Sequence, residues 1–421
     1  MVNVFAPENF IILISFTLLI GYVSSVFYSK TKVPDIVWLL GLGILVGPVF
    51  GIFDKDLFLE LAPLMSIIAL SIILFDAGIN IDINTFMQTF TKSTVLAVAT
   101  FLSTVAFVGF SMSFLLPQYF DLLQAMLLGS MIGGTSTVSV YGILSGLNHS
   151  FKNIDTARVI LLTESIITDP ICIISAITII RMIMLPEISL SASVRDIFSI
   201  FVLSSLVGLL IGFVWAGIMN RLRGRPFLYM ATLAILFPTY ILTESLIGEG
   251  GGPIAALTFG LAITNYGFIT RKIGLNASVM IDKRRLREFH EEITFLMKSF
   301  FFVYIGLVVT LSRVYFLIGL AVAILILADR YFIATTVGNL LQFTREEKVL
   351  TRLICASGLP AFIMSQLPVI YDPNGVFFNS PEIYSNLCMP IVLVTVIFAS
   401  VFAPIIAKRQ LRPAEHIKTT P

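Results

Sequence analysis

Thirteen runs of roughly twenty apolar residues, separated by short polar connectors, dominate the 421-residue sequence. They fall near 9–28, 34–53, 57–79, 93–116, 121–146, 156–182, 196–220, 227–247, 252–268, 287–311, 314–341, 348–368 and 385–408. A helix of that length spans the hydrocarbon core of a bilayer. In lipid every backbone polar group must be satisfied internally, so such runs are read as helices. Apolar residues make up 57% of the chain and charged residues 12%, against about 45–50% and about 25% in soluble domains. A soluble fold of this size could not hide that much apolar side chain. An ordinary soluble enzyme, a disordered chain and a disulfide scaffold are excluded. The expectation is an all-α polytopic protein of the cell membrane, in contact with lipid, with no large soluble domain left over.

The remaining bulk properties are mild. A net charge of +2 gives no general attraction to nucleic acid. Cys172, Cys355 and Cys388 lie in apolar runs without metal-ligand spacing and read as small core residues. The first run lacks a basic leader and a small-residue cleavage site, so it is expected to be a first spanning helix. Residues 270–287 form the longest basic connector and read as an amphipathic link at the membrane surface.

Loop charge sets an orientation. With the N-terminus outside and the C-terminus cytoplasmic, 21 Lys and Arg residues fall inside. Only Lys55, Arg181, Arg195 and Arg313 fall outside. One missed or invented helix would scramble that alternation, so the positive-inside rule supports thirteen spans.

Ionisable groups deep in spanning helices are expensive and functional by default. Asp76, Glu164, Asp169 and Arg330 are of this kind, and Lys298 is a fifth that could instead snorkel to the interface. In Thr163–Pro170 two i,i+4 pairs, Ser165 with Asp169 and Glu164 with Thr168, occupy adjoining faces. Pro170 frees the carbonyl of Ile166. A carboxylate, two hydroxyls and a spare carbonyl are the oxygen ligands a small hard cation takes. Arg330 must find a carboxylate, and either Glu164 or Asp329 could serve. If Glu164 holds Arg330, Asp169 is the unpaired acid, open to competition between a proton and a cation.

Two segments look interrupted. One holds Gly133–Val140, with Thr135 and Ser136, and the other holds Cys355–Ala361. Gly and Pro among clustered hydroxyls suit discontinuous helices whose ends face an ion, although small residues also permit close helix packing. Gly248–Pro253 lacks a phosphate-loop Lys and reads as a flexible outer turn. Glu244, near the outer end of its segment, is expected to reach water. His290 and Glu291, at a charge-rich cytoplasmic helix start, form either a pH-sensing cluster or a solvated helix end. His149 and His416 lie in a loop and in the tail, with no visible partners.

From about residue 10 to 405 the chain resembles the prokaryotic NhaP-type sodium/proton antiporters, relatives of the animal sodium/proton exchangers. The resemblance rests on residues 34–48, Ile73–Asp82, Thr163–Pro170, Phe259–Asn265, Lys298–Leu307 and Ser357–Ala361, in that order. It implies two inverted six-helix repeats with crossed broken helices. It implies a dimerisation scaffold at 1–92 and 196–311, a transport core at 93–182 and 314–408, and a short tail at 409–421. It implies a homodimer that exchanges Na+ or Li+ for H+, without a cofactor, by an elevator-like motion. Asp169, Asp76, Ser165 and Thr135 would bind the ion, with Thr168 and Ser136 in support. Glu164 and Arg330 would be a structural ion pair. Two departures stand out: Thr168 replaces the usual Asn before the ion-binding Asp, and Thr135-Ser136-Thr137 replaces Thr-Asp-Pro at the first break. One acid is thus absent, which leaves K+/H+ exchange open. A sodium-coupled symporter of an organic anion would want basic groups beyond Arg330. A channel would not need a lone titratable ligand, and no segment holds a metal or nucleophile constellation of an embedded enzyme.

Overall fold

A computed structural model of the protein describes residues 7–31, 35–52, 55–135, 140, 154–185, 190–222, 225, 227–272, 274, 282–310 and 312–411. Ser136, His149 and His416 lie outside the described residues, as does most of the 273–281 stretch of the basic connector. Among the described residues every regular element is helical.

The helices are α1 (Pro7–Thr31), α2 (Asp35–Ile44), α3 (Lys55–Asn80), α4 (Ile83–Leu115), α5 (Leu122–Ile132) and α6 (Ile154–Met184). They continue with α7 (Leu190–Arg221), α8 (Leu228–Leu246), α9 (Gly251–Thr264), α10 (Tyr266–Lys272), α11 (Lys283–Val308) and α12 (Arg313–Leu340). The last five are α13 (Arg345–Leu353), α14 (Leu359–Ser365), α15 (Leu367–Tyr371), α16 (Ile383–Ile397) and α17 (Ala403–Leu411). Single π-turns extend α2 through Leu45–Val49, where Pro48 removes a donor, and join α16 to α17 through Phe398–Phe402. Among the described residues six helical stretches are long and apolar enough to cross a membrane, and the bent pair α9–α10 makes a seventh if taken as one. α1, α2, α3, α5 and α14–α15 supply shorter apolar helices.

Short-range chemistry sets several ends. Asp121 caps α5 by accepting the amide of Gln124 at 2.7 Å. Asp282 caps α11 through the amide of Arg285 at 3.2 Å. Thr344 and Glu347 form a reciprocal capping box on α13. The segment expected at 252–268 does not run straight: α9 ends at Thr264 and α10 leaves at 74°. The cause is Asn265, whose side chain donates to the carbonyls of Ile81 and Leu261, both at 2.9 Å, and accepts the amide of Ile83 at 3.1 Å. One amide group therefore ends α9 and ties down the α3–α4 corner.

Packing follows the small residues. α9 lies along α7 and α3, α11 along α2 and α3, and α8 beside α9. α4 lies along α5, α6 and α12, while α12 also packs on α16 and α13. The α3–α9 crossing is backbone on backbone. A β-carbon on Gly78 would stand 2.0 Å from the carbonyl oxygen of Leu257, and one on Gly260 would stand 2.6 Å from that of Phe75. The outward faces stay apolar: Phe198, Leu206, Leu210 and Val214 of α7 and Phe316, Leu317 and Ile324 of α12 are exposed. Such a surface suits lipid and not water.

Candidate functional site

Two helix breaks meet beside the middle of α6. After Ile132 the chain leaves the helix at Gly133–Thr135, and after Leu353 it runs non-helical from Ile354 to Gly358. Such breaks expose backbone groups that the helix would have paired. Ser357 Oγ takes up one of them, donating to the carbonyl of Ile132 at 2.9 Å, so the second break is tied directly to the end of α5.

The polar face of α6 closes on the first break. Ser165 Oγ donates to the Thr135 carbonyl. The Thr135 amide donates to Thr168 Oγ1 at 3.3 Å, and that hydroxyl donates to the Ser165 carbonyl at 3.2 Å. Thr135 Oγ1 is buried with no hydrogen-bond partner among the described residues. Asp169 follows one turn after Ser165, only 6% exposed. Among the described residues it accepts no hydrogen bond and joins no ion pair, in contrast to the general rule for buried carboxylates. Ser165, Thr168, Thr135 and Asp169 thus share one small volume.

A second buried carboxylate on α6 is fully engaged. Arg330 of α12 holds Glu164 with both terminal nitrogens, Nη2 to Oε2 at 2.9 Å. Its Nε donates to the Thr351 carbonyl at 2.7 Å. Thr100 Oγ1 adds a donor to Glu164 at 3.3 Å. The side chains are 0% and 3% exposed. Asp329, the other partner open to Arg330 from sequence, is instead held by Ser103 Oγ at 2.6 Å and Thr104 Oγ1 at 3.3 Å on α4.

Asp76 has contacts of its own. Its carboxylate accepts from Asn80 Nδ2 at 3.4 Å, and the charges that reach it are Lys298, Glu291 and Arg287 of α11. No hydrogen bond links it to Asp169. Among the described residues no three His, Cys, Asp or Glu side chains converge on one point. His290 and Glu291 do not form a cluster either. Glu291 is exposed, whereas His290 turns inward, fully buried, with its ring edge-on to Phe75 at 4.7 Å and to Phe289 at 5.1 Å. The solvated helix end expected there excludes His290, because it shares the i,i+4 face of Leu286 and Thr294, both buried.

Some groups escaped the sequence reading. Glu244 does not reach out to water: it accepts the amides of Gly250 at 2.8 Å and Gly252 at 2.7 Å and so fixes the Gly248–Pro253 turn. Beside it, Glu249 pairs with Arg181 at 3.1 Å and accepts from Tyr371 at 3.0 Å. Lys92 of α4 pairs with Glu347 of α13 at 2.9 Å. Cys172, one turn beyond Asp169, lies against the first break. Its i+3 spacing from Asp169 was the available signal.

Lipid-facing apolar surfaces around a buried polar site at paired helix breaks define a multi-pass integral membrane protein. The family profile "Sodium/hydrogen exchanger, transmembrane" matches residues 14–412. The chain belongs to this family. Among similar proteins, Na+/H+ antiporter 1 of Methanocaldococcus jannaschii is 26% identical over 314 residues, covering 73% of this chain and 70% of that protein. The Na+/H+ antiporter ApNhaP of Aphanothece halophytica is 25% identical over 71% of this chain, and the match spans 54% of the relative. The solved structure of the sodium proton antiporter MjNhaP1 from M. jannaschii at pH 8 shares the fold, with a TM-score of 0.81 at 21% identity. That match covers 96% of this chain and 99% of the other. These relatives are transporters and not enzymes.

Proposed function

We propose that the protein exchanges Na+ or Li+ for H+ across the membrane, with Asp169 as the one carboxylate for which proton and cation compete. The observation that carries this reading is a buried carboxylate that, among the described residues, has no hydrogen bond or ion pair and lies beside hydroxyls at a helix break. A proton neutralises it in one state and a cation in the other, so the group is never left as a bare charge in a dry site. Ser165, Thr168 and Thr135 offer oxygen for the cation. Ser136 is assigned there by resemblance alone. One ionising group gives one H+ for one cation, an electroneutral cycle. The Na+/H+ antiporter names of the relatives support the choice of cation.

Glu164 and Arg330 are read as a structural pair that neutralises itself and leaves Asp169 as the titrating acid. Asp76 is read, by resemblance, as a further acidic ligand of the ion. Thirteen spans in two inverted repeats, with the N-terminus outside, remain the topology of this reading. The scaffold is 1–92 with 196–311, the core is 93–182 with 314–408, and two copies associate through the scaffold. The close glycine contact between α3 and α9 supports a rigid scaffold, against which the core carries the site from one face to the other.

The test is cation-driven proton movement in proteoliposomes, with Na+, Li+ and K+ compared. Wild type is expected to respond to Na+ and Li+, and Asp169→Asn is expected to lose the response to all cations. Undiminished flux in Asp169→Asn would sink the mechanism. A response to K+ in preference to Na+ would keep the exchange and change its cation.

A further inference from the structure

The surroundings of Asp169 on the side of the first helix break can be named. Gly134, in the first helix break, passes in front of the α6 face that carries Thr168, Asp169 and Cys172. A β-carbon on Gly134 would lie 3.0 Å from Cys172 Sγ, 3.5 Å from Asp169 Oδ1 and 3.8 Å from Thr168 Oγ1. The three atoms nearest that point are thus all side-chain atoms of the proposed ion site or its wall. At Gly78, by contrast, the nearest atom is a backbone oxygen. Gly134 also lacks a positive φ, so its conformation does not demand glycine. What glycine supplies here is the absence of a methyl group, next to a carboxylate and a Thr135 hydroxyl that have no hydrogen-bond partner among the described residues.

We propose that Gly134 and Cys172 border a hollow for the ion against Asp169 and, by fixing its size, set which monovalent cation the protein accepts. The inference rests on the reading of Asp169 as the ion carboxylate. Hard cations such as Mg2+ and Ca2+ sit about 2.0–2.6 Å from their oxygen ligands, and larger ions need both longer contacts and more room. A methyl group on residue 134 would touch Asp169 Oδ1 and stand close to Thr168 Oγ1, so it takes volume that the ion or its retained water would use. The thiol of Cys172 is a soft, weak ligand and acts as a wall for an alkali cation.

The experiment measures apparent KM for Li+, Na+, K+ and Rb+ in proteoliposomes. Gly134→Ala is expected to shift the preference toward Li+, raising the Na+-to-Li+ ratio of KM by about tenfold, the scale of one methyl group in a closed pocket. Cys172→Ala widens the hollow and is expected to shift preference the opposite way, toward K+ and Rb+. The double variant relieves the 3.0 Å contact with Sγ but leaves the new methyl against the carboxylate. It is therefore expected to fall between the two single variants, because one change takes volume and the other returns it. A double variant that keeps the full shift of either single variant would mean that the two residues do not bound one volume, and would overturn the proposal. Equal changes for all four cations would do the same. If Gly134→Ala does not assemble, Cys172→Ala decides alone, and an unchanged cation order there refutes the idea. Asp169→Asn in the same assay separates the two claims. Flux retained there removes the reading of Asp169 itself. Flux lost there, with cation order unmoved in the other variants, removes only the size-setting role.

Discussion

Removing either half of the Glu164–Arg330 pair leaves a charge in a place where neither water nor lipid can help it. The two side chains are 0% and 3% exposed. Arg330→Ala strips Glu164 of both guanidinium donors and leaves, among the described residues, only the hydroxyl of Thr100 at 3.3 Å. Glu164→Ala leaves Arg330 with only the Thr351 carbonyl among the contacts described above. Orphaning one member of a buried pair costs about 3–5 kcal/mol. Replacing both by apolar groups of similar volume is about neutral, because the desolvation of two charges is avoided. Glu164→Leu with Arg330→Met is therefore expected to lose far less than either single variant. The cycle should return a coupling of about 3 kcal/mol or more. The surroundings also have a polarity, a hydroxyl donor at Glu164 and a carbonyl acceptor at Arg330. Swapping the two residues would aim a carboxylate at the Thr351 carbonyl, so the swap should not recover wild-type stability. Unfolding can be followed in detergent with a thiol-reactive dye, since Cys172, Cys355 and Cys388 are free and buried. Single variants within about 0.5 kcal/mol of wild type, or additive losses in the double variant, would refute the reasoning.

Three further outcomes follow from the geometry. Asp372 lies in the connector after α15. Desolvation raises its pKa, but the amides of Phe378, Val376 and Phe377 outweigh that and hold it below the usual 3.8. A depressed folded-state pKa stabilises above the unfolded value and is lost as pH falls through the folded one. The stability gap between wild type and Asp372→Ala should thus be constant near neutrality and narrow below about pH 4. Glu347 both closes the α13 capping box and pairs with half-buried Lys92. Glu347→Ala should cost about 1–2 kcal/mol in the same melting assay, and Glu347→Gln, which keeps an acceptor for the Thr344 amide, clearly less. Gly260→Val would drive a branched side chain into the Phe75 carbonyl, 2.6 Å from its β-carbon, and should abolish assembly of folded protein in size-exclusion profiles.

The apolar segments were legible because a spanning helix must satisfy its own backbone and present about twenty apolar residues to lipid. The bend at Asn265 was not legible. One uncharged amide barely changes the hydropathy of its run, and its partners, Ile81 and Ile83, lie far away in sequence. The choice of Glu164 over Asp329 as partner of Arg330 depended on Ser103 and Thr104, 226 and 225 residues from Asp329, which no local pattern reveals. His290 shows the opposite case. Its charged neighbours suggested water, while its spacing from Leu286 and Thr294 already placed it on the buried face. Cys172 was likewise one turn from Asp169, but only the path of Gly134 shows that the two side chains face the same stretch of the first break.

Competition between proton and cation for Asp169 has a direct signature, because a cation that takes over a protonated carboxylate must expel its proton. The measurement is proton release on addition of Na+ to purified protein in weakly buffered detergent solution, beside Asp169→Asn. Release of about one proton per chain in wild type, absent in Asp169→Asn, is the expected result. Na+ binding without proton release, or equal release from Asp169→Asn, would contradict it.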